Sequence, residues 1–439
     1  MTTNNIKIIL DLCKKLNKYA HRLTLEDLQN DEACQAIPNL SLDTVKNVIN
    51  EVQNRLKRGC KMYENEVIFH TGPHHDDIML GIMPFINRQL RSRSNDISFG
   101  VMTSGFHSVT NKFLLDALKD TLRFIEEDRM LMIHYADFFT EGYKLKYDKD
   151  IHHFLDNVAN RNQEECRRGL CHRIARDMVG IWGMKSVEEL KETLQRTIVF
   201  VENFTEEVRK DPNPEVQTTI RHCQALKGEI REFEEELVWA YMGVSVDHVH
   251  HLHLGLYNRK TEFTGPDYDT DVFPVLDHLR YINPTVISVV MDAGDIRPDT
   301  HHKVLLSIAE AIEIWSQETD VSNVRIIGFR NVWSTFDPST ANTYVPVSLN
   351  SFAVFEKAFN TSYLTQVVAE FPNPNFDGTF CELAESIWVR QLRDVQLLLG
   401  KDFFYQNPSA LVRATHGLIF LNEMNVTDFL RIIKEKYAI

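Results

Sequence analysis

Apolar residues recur at helical spacing near the start of the chain. Ile6, Ile9, Leu10, Cys13 and Leu16 form one stripe, and Val45, Val48, Ile49, Val52 and Leu56 another. This pattern predicts a helical extension over residues 1–62. The texture changes at Glu66. A short apolar run over 67–71 predicts a strand, 78–91 a helix and 97–103 a second strand, which is the spacing of a βαβ unit. Residues 112–242 are strongly charged with helical periodicity, clearest over 188–207 and 218–241, and a helical insertion is expected over about 130–215. Strand patterns return at 247–256, 285–291, 324–329 and 344–347, with helices over 302–315, 351–359 and 382–399 between and after them. The near-continuous apolar run at 285–291 suits a strand buried on both faces of a parallel sheet. The expected fold is therefore α/β, a Rossmann-like, mostly parallel sheet flanked by helices, in which residues 63–439 form one domain and the extension packs on it.

Composition narrows the function classes. The chain has 439 residues, of which 43% are hydrophobic, and a net charge of −14. That charge argues against general binding to nucleic acid or to anionic membrane surfaces. Seven cysteines without a C-x-x-C pair suggest reduced thiols. With no signal-like or membrane-spanning segment in the sequence, a soluble, cytoplasmic protein is expected, with a small-molecule partner and room for a homo-oligomer.

Two clusters carry the chemistry. The first strand empties into Gly72-Pro73-His74-His75-Asp76-Asp77, and the 285–291 strand into Asp292-Ala293-Gly294-Asp295-Ile296-Arg297-Pro298-Asp299-Thr300-His301-His302. Loops after parallel strands face the ligand crevice of an open α/β sheet. Imidazole and carboxylate groups there offer nitrogen and oxygen ligands to zinc or a similar divalent ion, with a spare carboxylate as base. Either cluster alone reads more readily as a solvated helix start, since Asp favours such positions; two on one rim favour a metal centre. The third group, His248, His250, His251 and His253, alternates along a strand-like stretch, so His251 and His253 share one face.

Pro73-His74-His75-Asp76-Asp77 resembles the (A/P)-H-P-D-D-E motif of LmbE/PIG-L-type N-acetylglucosaminyl deacetylases. Met102-Thr103-Ser104-Gly105 is similar to the segment after that family's second strand, and residues 297–303 to its distal histidine loop. The resemblance is nearest to the deacetylase-like half of glucosamine-6-phosphate deaminase-like fusion proteins, whose tail residues 371–400 also resemble. It implies a zinc- or iron-dependent amidohydrolase that removes an N-acetyl group from an amino sugar. By position it implies His74, Asp77 and His302 as metal ligands and Asp76 as general base. His75 stands where the family has Pro, Ile78 where it has Glu, and Asp299 where many members have a His that assists the leaving group. Asp299 itself, His301, or one of His251 and His253 is then the candidate for that role. The alternative is a deacetylase-like scaffold that binds a sugar without hydrolysing it. Residues 415–423 echo a deaminase motif faintly, and the echo is read as chance.

Overall fold

The computed structural model describes residues 2–135, 137–140, 147–257, 263, 265–292, 300–332, 334–367 and 376–436. Seven strands form one sheet: β1 (Val67–Gly72), β2 (Asp96–Val101), β3 (Val249–His251), β4 (Val286–Val290), β5 (Arg325–Phe329), β6 (Thr343–Ser348) and β7 (Thr415–Asn425). Their order is β3-β2-β1-β4-β5-β7-β6. The first five run parallel, while β7 is antiparallel to both β5 and β6. The fold is thus α/β with a mostly parallel sheet flanked by helices.

The chain winds outward from β1 to β2 and β3, then returns to place β4 on the other side of β1. The order reverses between β1 and β4, and such a switch point opens a crevice beyond the carboxyl ends of the two strands. Their registry is held by polar pins inside the sheet. The His70 Nδ1 atom lies 2.7 Å from Ser288 Oγ, and the Thr71 hydroxyl donates to the Ser288 carbonyl at 2.6 Å.

Helices cover both faces. One apolar cluster joins Thr2–Leu16 and Leu42–Gly59 to Phe273–Ile282, Thr300–Glu318 and Val426–Lys436. Another packs Asp77–Gln89 and Leu349–Ser362 on the opposite side. The N-terminal helices are fastened by Arg55, whose buried guanidinium donates to the carbonyls of Pro338, Ser339 and Ala341. At Gly59 an added Cβ would lie 1.8 Å from the Tyr344 carbonyl oxygen, so only glycine permits this helix to sit against β6.

Between β2 and β3 the chain is helical. Asn111–Glu126, Tyr147–Ala159, Gln163–Trp182, Val187–Glu202 and Pro214–Tyr241 enclose an apolar core of their own. The strand-like 247–256 stretch is shorter than its alternation predicts: β3 stops at His251, His253 takes a positive φ of 51°, and a 3-10 turn follows at Gly255–Tyr257. The seven cysteines are unpaired thiols. Among the described residues no helix is long and apolar enough to cross a membrane.

Candidate metal centre

The turn after β1 folds back through Asp77. Its Oδ2 atom accepts the His74 backbone N–H at 2.8 Å, and its Oδ1 atom accepts from the Asn331 side-chain amide at 2.6 Å, just beyond β5. This places His74 Nδ1 at 3.2 Å from Asp77 Oδ2. From the helix after β4, His301 Nε2 reaches within 3.3 Å of the same oxygen and 3.2 Å of His74 Nδ1. The three ligand atoms lie within 4.8 Å of one another, the grouping a small cation needs.

The outer nitrogen of each imidazole is also engaged. His74 Nε2 is 2.9 Å from the Tyr257 hydroxyl. His301 Nδ1 is 2.6 Å from Asp292 Oδ2, and Asp292 Oδ1 accepts from the Ser334 hydroxyl at 2.8 Å. A carboxylate on Nδ1 fixes the tautomer that leaves Nε2 as the electron-pair donor, the usual support of a metal-ligating histidine. Burial pushes the Asp77 carboxyl up, but the electrostatic pull of the neighbouring His301 and the His74 hydrogen bonds outweigh it, leaving Asp77 well below the usual carboxylate range. Two imidazoles and a deprotonated carboxylate, each oriented by a further partner, fit a zinc-type ion.

The cluster therefore uses His301 where the family resemblance points to His302. Adjacent residues on a helix are separated by about 100° of rotation, so only one of the pair can face the β1 turn. His302 is half-buried beside it and lies outside the cluster. With Nε2 at Asp77 and Nδ1 at Asp292, His301 is committed to the cluster and is displaced from the donor role. Asp299 lies outside the described residues, so its expected role has no structural counterpart here.

Asp76 is next to the cluster but not part of it. Its Oδ1 atom is 3.6 Å from the Arg231 guanidinium, which is 1% exposed and comes from the Pro214–Tyr241 helix. Arg231 also donates to Glu234 and, at 3.2 Å, to the Thr365 hydroxyl. His75 is buried and stacks on His251, ring centroids 5.5 Å apart. Burial, and after it the nearby Arg231 charge, hold its pKa far below the ordinary imidazole value, so His75 is neutral. His251 and His253 face Glu236 and Glu232 on the same helix, whereas His250 packs on His278 and His248 lies near Asp96.

A neutral acid braces this region from behind. The Tyr363 hydroxyl is 2.5 Å from the His75 carbonyl and 2.6 Å from Glu235 Oε2, while Trp239 donates to Glu235 Oε1 at 2.6 Å. One hydroxyl proton cannot serve two acceptors, so a protonated Glu235 donates to Tyr363 as Tyr363 donates to His75. Burial pushes Glu235 up to about 8, against the pull of its hydrogen bonds. The raised value means its stabilisation is complete below the unfolded pKa, about 4.3, and is lost as pH climbs through 8. Glu235→Gln preserves both hydrogen bonds without the proton. Thermal unfolding should show it more stable than the parent by a few kcal/mol, to order of magnitude, above pH 8, with little difference at acid pH. Equal pH dependence in both proteins would refute the neutral-acid assignment.

Sequence reasoning did not assign roles to Tyr257, Asp292, Asn331, Ser334 or Arg231. Asp292 was readable as the first residue past a parallel strand. No known family model matches the chain, and no curated protein is significantly similar to it.

Proposed function

We propose that the protein is a metal-dependent amidohydrolase that removes the N-acetyl group from an amino-sugar substrate, with zinc or iron as the ion. The observation that carries this reading is the His74–Asp77–His301 cluster at the sheet's switch point, with the separate carboxylate of Asp76 beside it. His74, Asp77 and His301 would hold the ion, which when bound supplies Lewis acidity to polarise the acyl oxygen and acidify water.

The chain's own groups do the rest. Asp76 takes a proton from water as its oxygen bonds to the acyl carbon, a contribution of about 10²–10⁴-fold. Arg231 keeps that carboxylate turned. Burial raises the Tyr257 pKa, so its hydroxyl stays protonated and can donate to the acyl oxygen as negative charge builds there. The C–N bond then breaks, the amine takes up the proton, and acetate leaves.

A second reading, a sugar-binding protein on the same scaffold, is favoured by one contact. Arg231 competes with water for Asp76 at 3.6 Å. The test is acetate release from a panel of N-acetylated amino sugars by protein carrying about one equivalent of zinc or iron. Release that chelation abolishes is the expected result. Metal-loaded protein that binds these sugars and releases no acetate would establish the second reading instead.

A further inference from the structure

A cavity of about 1040 Å³ lies at the seam between the insertion and the core. Three insertion helices line it, Asn111–Glu126, Tyr147–Ala159 and Gln163–Trp182, together with Leu349–Ser362, which packs on the sheet. None of its lining residues belongs to the His74–Asp77–His301 cluster. Its volume matches the top of the range of small-molecule pockets, about 300–1,000 Å³.

The lining is divided by polarity. Ala117, Phe154 and Leu170 form a buried apolar floor, extended by the half-buried Phe113, Val158 and Leu364. The rim is cationic. Lys112, Arg161, Arg167 and Lys357 are all exposed there, against the single carboxylate of Asp116. Lys112 is paired with Asp116 at 2.6 Å and Arg167 with Asp120, whereas Arg161 and Lys357 make no ion pair among the described residues. Four cations to one carboxylate reverse the balance of a chain in which acidic residues outnumber Lys and Arg by 62 to 48. Two helices also start at this rim, at Thr110 and at Asn162, and their amino ends add positive potential.

An apolar floor under a cationic rim complements an unbranched apolar tail that ends in an anion. A sugar or a nucleobase would instead call for donors and acceptors at depth. The less exposed uncharged polar side chains of the lining are Asn157 and Thr361, and the Asn157 amide already donates to the His153 carbonyl at 2.8 Å.

We infer that this cavity binds a single-chain anionic amphiphile, a fatty carboxylate or an alkyl phosphate, with its head at the cationic rim and its tail on the apolar floor. The inference is independent of the amidohydrolase reading.

Calorimetry below micellar concentrations tests it with decanoate, decyl phosphate, their octyl homologues and the uncharged decyl glucoside. The better decyl anion identifies the headgroup and should bind at least about tenfold more tightly than decyl glucoside, as two charge-assisted contacts allow. Its octyl homologue should bind about tenfold more weakly, since each buried methylene is worth about fourfold. In the Arg161→Gln, Lys357→Gln double variant the advantage over decyl glucoside should vanish, while decyl glucoside affinity and the thermal midpoint stay as in the parent. Alkylation read by mass spectrometry locates the ligand. The better anion should protect Cys166, a half-buried thiol of the lining, and leave Cys60, half-buried outside it, at its original rate. The site is overturned by equal binding of anions and glucoside, by an advantage that survives in the double variant, or by no effect of chain length. Alkylation of Cys166 at an unchanged rate, or binding of none of the probes, overturns it as well.

Discussion

Protein carrying Asp77→Ala should be purified with less than a tenth of the parent's metal and should have no measurable hydrolytic activity. Asp77 Oδ2 is the atom that both His74 Nδ1 and His301 Nε2 approach, so its loss removes a ligand and the anchor of the other two. Losing a structurally committed ligand costs far more than losing an outer-shell partner, which is itself worth about 10–100-fold in metal affinity. The variant also takes one acceptor from the buried Asn331 amide and leaves the His74 backbone N–H without its Asp77 partner, at a cost of about 1–3 kcal/mol for a group left unsatisfied. Elemental analysis and thermal unfolding with and without added zinc read both effects. Zinc should raise the parent's unfolding midpoint by mass action and leave that of the variant unmoved. Full occupancy in the variant would show that the cluster is not the metal centre.

The second large effect separates binding from chemistry. Asp76→Asn is expected to keep its metal and lose about 10²–10⁴-fold in turnover, because the amide holds the shape of the carboxylate and cannot accept the proton. Arg231 retains Glu234 and Thr365 as partners, so the fold should survive the change. Acetate release measured at matched metal content decides the matter: turnover within about threefold of the parent, well inside a general base's range, would remove Asp76 from the mechanism.

Local pattern made most of the parallel sheet readable. The stretches 67–71, 285–291 and 324–329 read as strands because their apolar residues are continuous, and they became β1, β4 and β5. β7 escaped because residues 415–423 drew notice only as a faint motif echo, although the Leu418–Leu421 core is buried and apolar. The His74–Asp77 half of the candidate site was readable because it lies within one turn. The other half depended on helical phase, which two consecutive histidines leave ambiguous until the helix after β4 is oriented. Arg231 was invisible for a different reason. The run from Arg231 to Glu236 looks like a solvated face, yet Glu234 and Glu235 are fully buried. Burial of charge at that density depends on partners such as Thr365, Tyr363 and Trp239, the first two far away in sequence, which no local pattern reveals.

The position of β7 between β5 and β6 has a consequence for how the molecule is made. Among the described residues β6 pairs only with β7, so during synthesis β5 and β6 both present open edges until residues 415–425 have emerged. Unpaired edges of this kind invite pairing with other chains. A ribosome stalled before residue 415, or a nonsense mutation there, would therefore yield a product with two exposed edges and a strong tendency to aggregate, even though every residue of the candidate metal centre had already been translated.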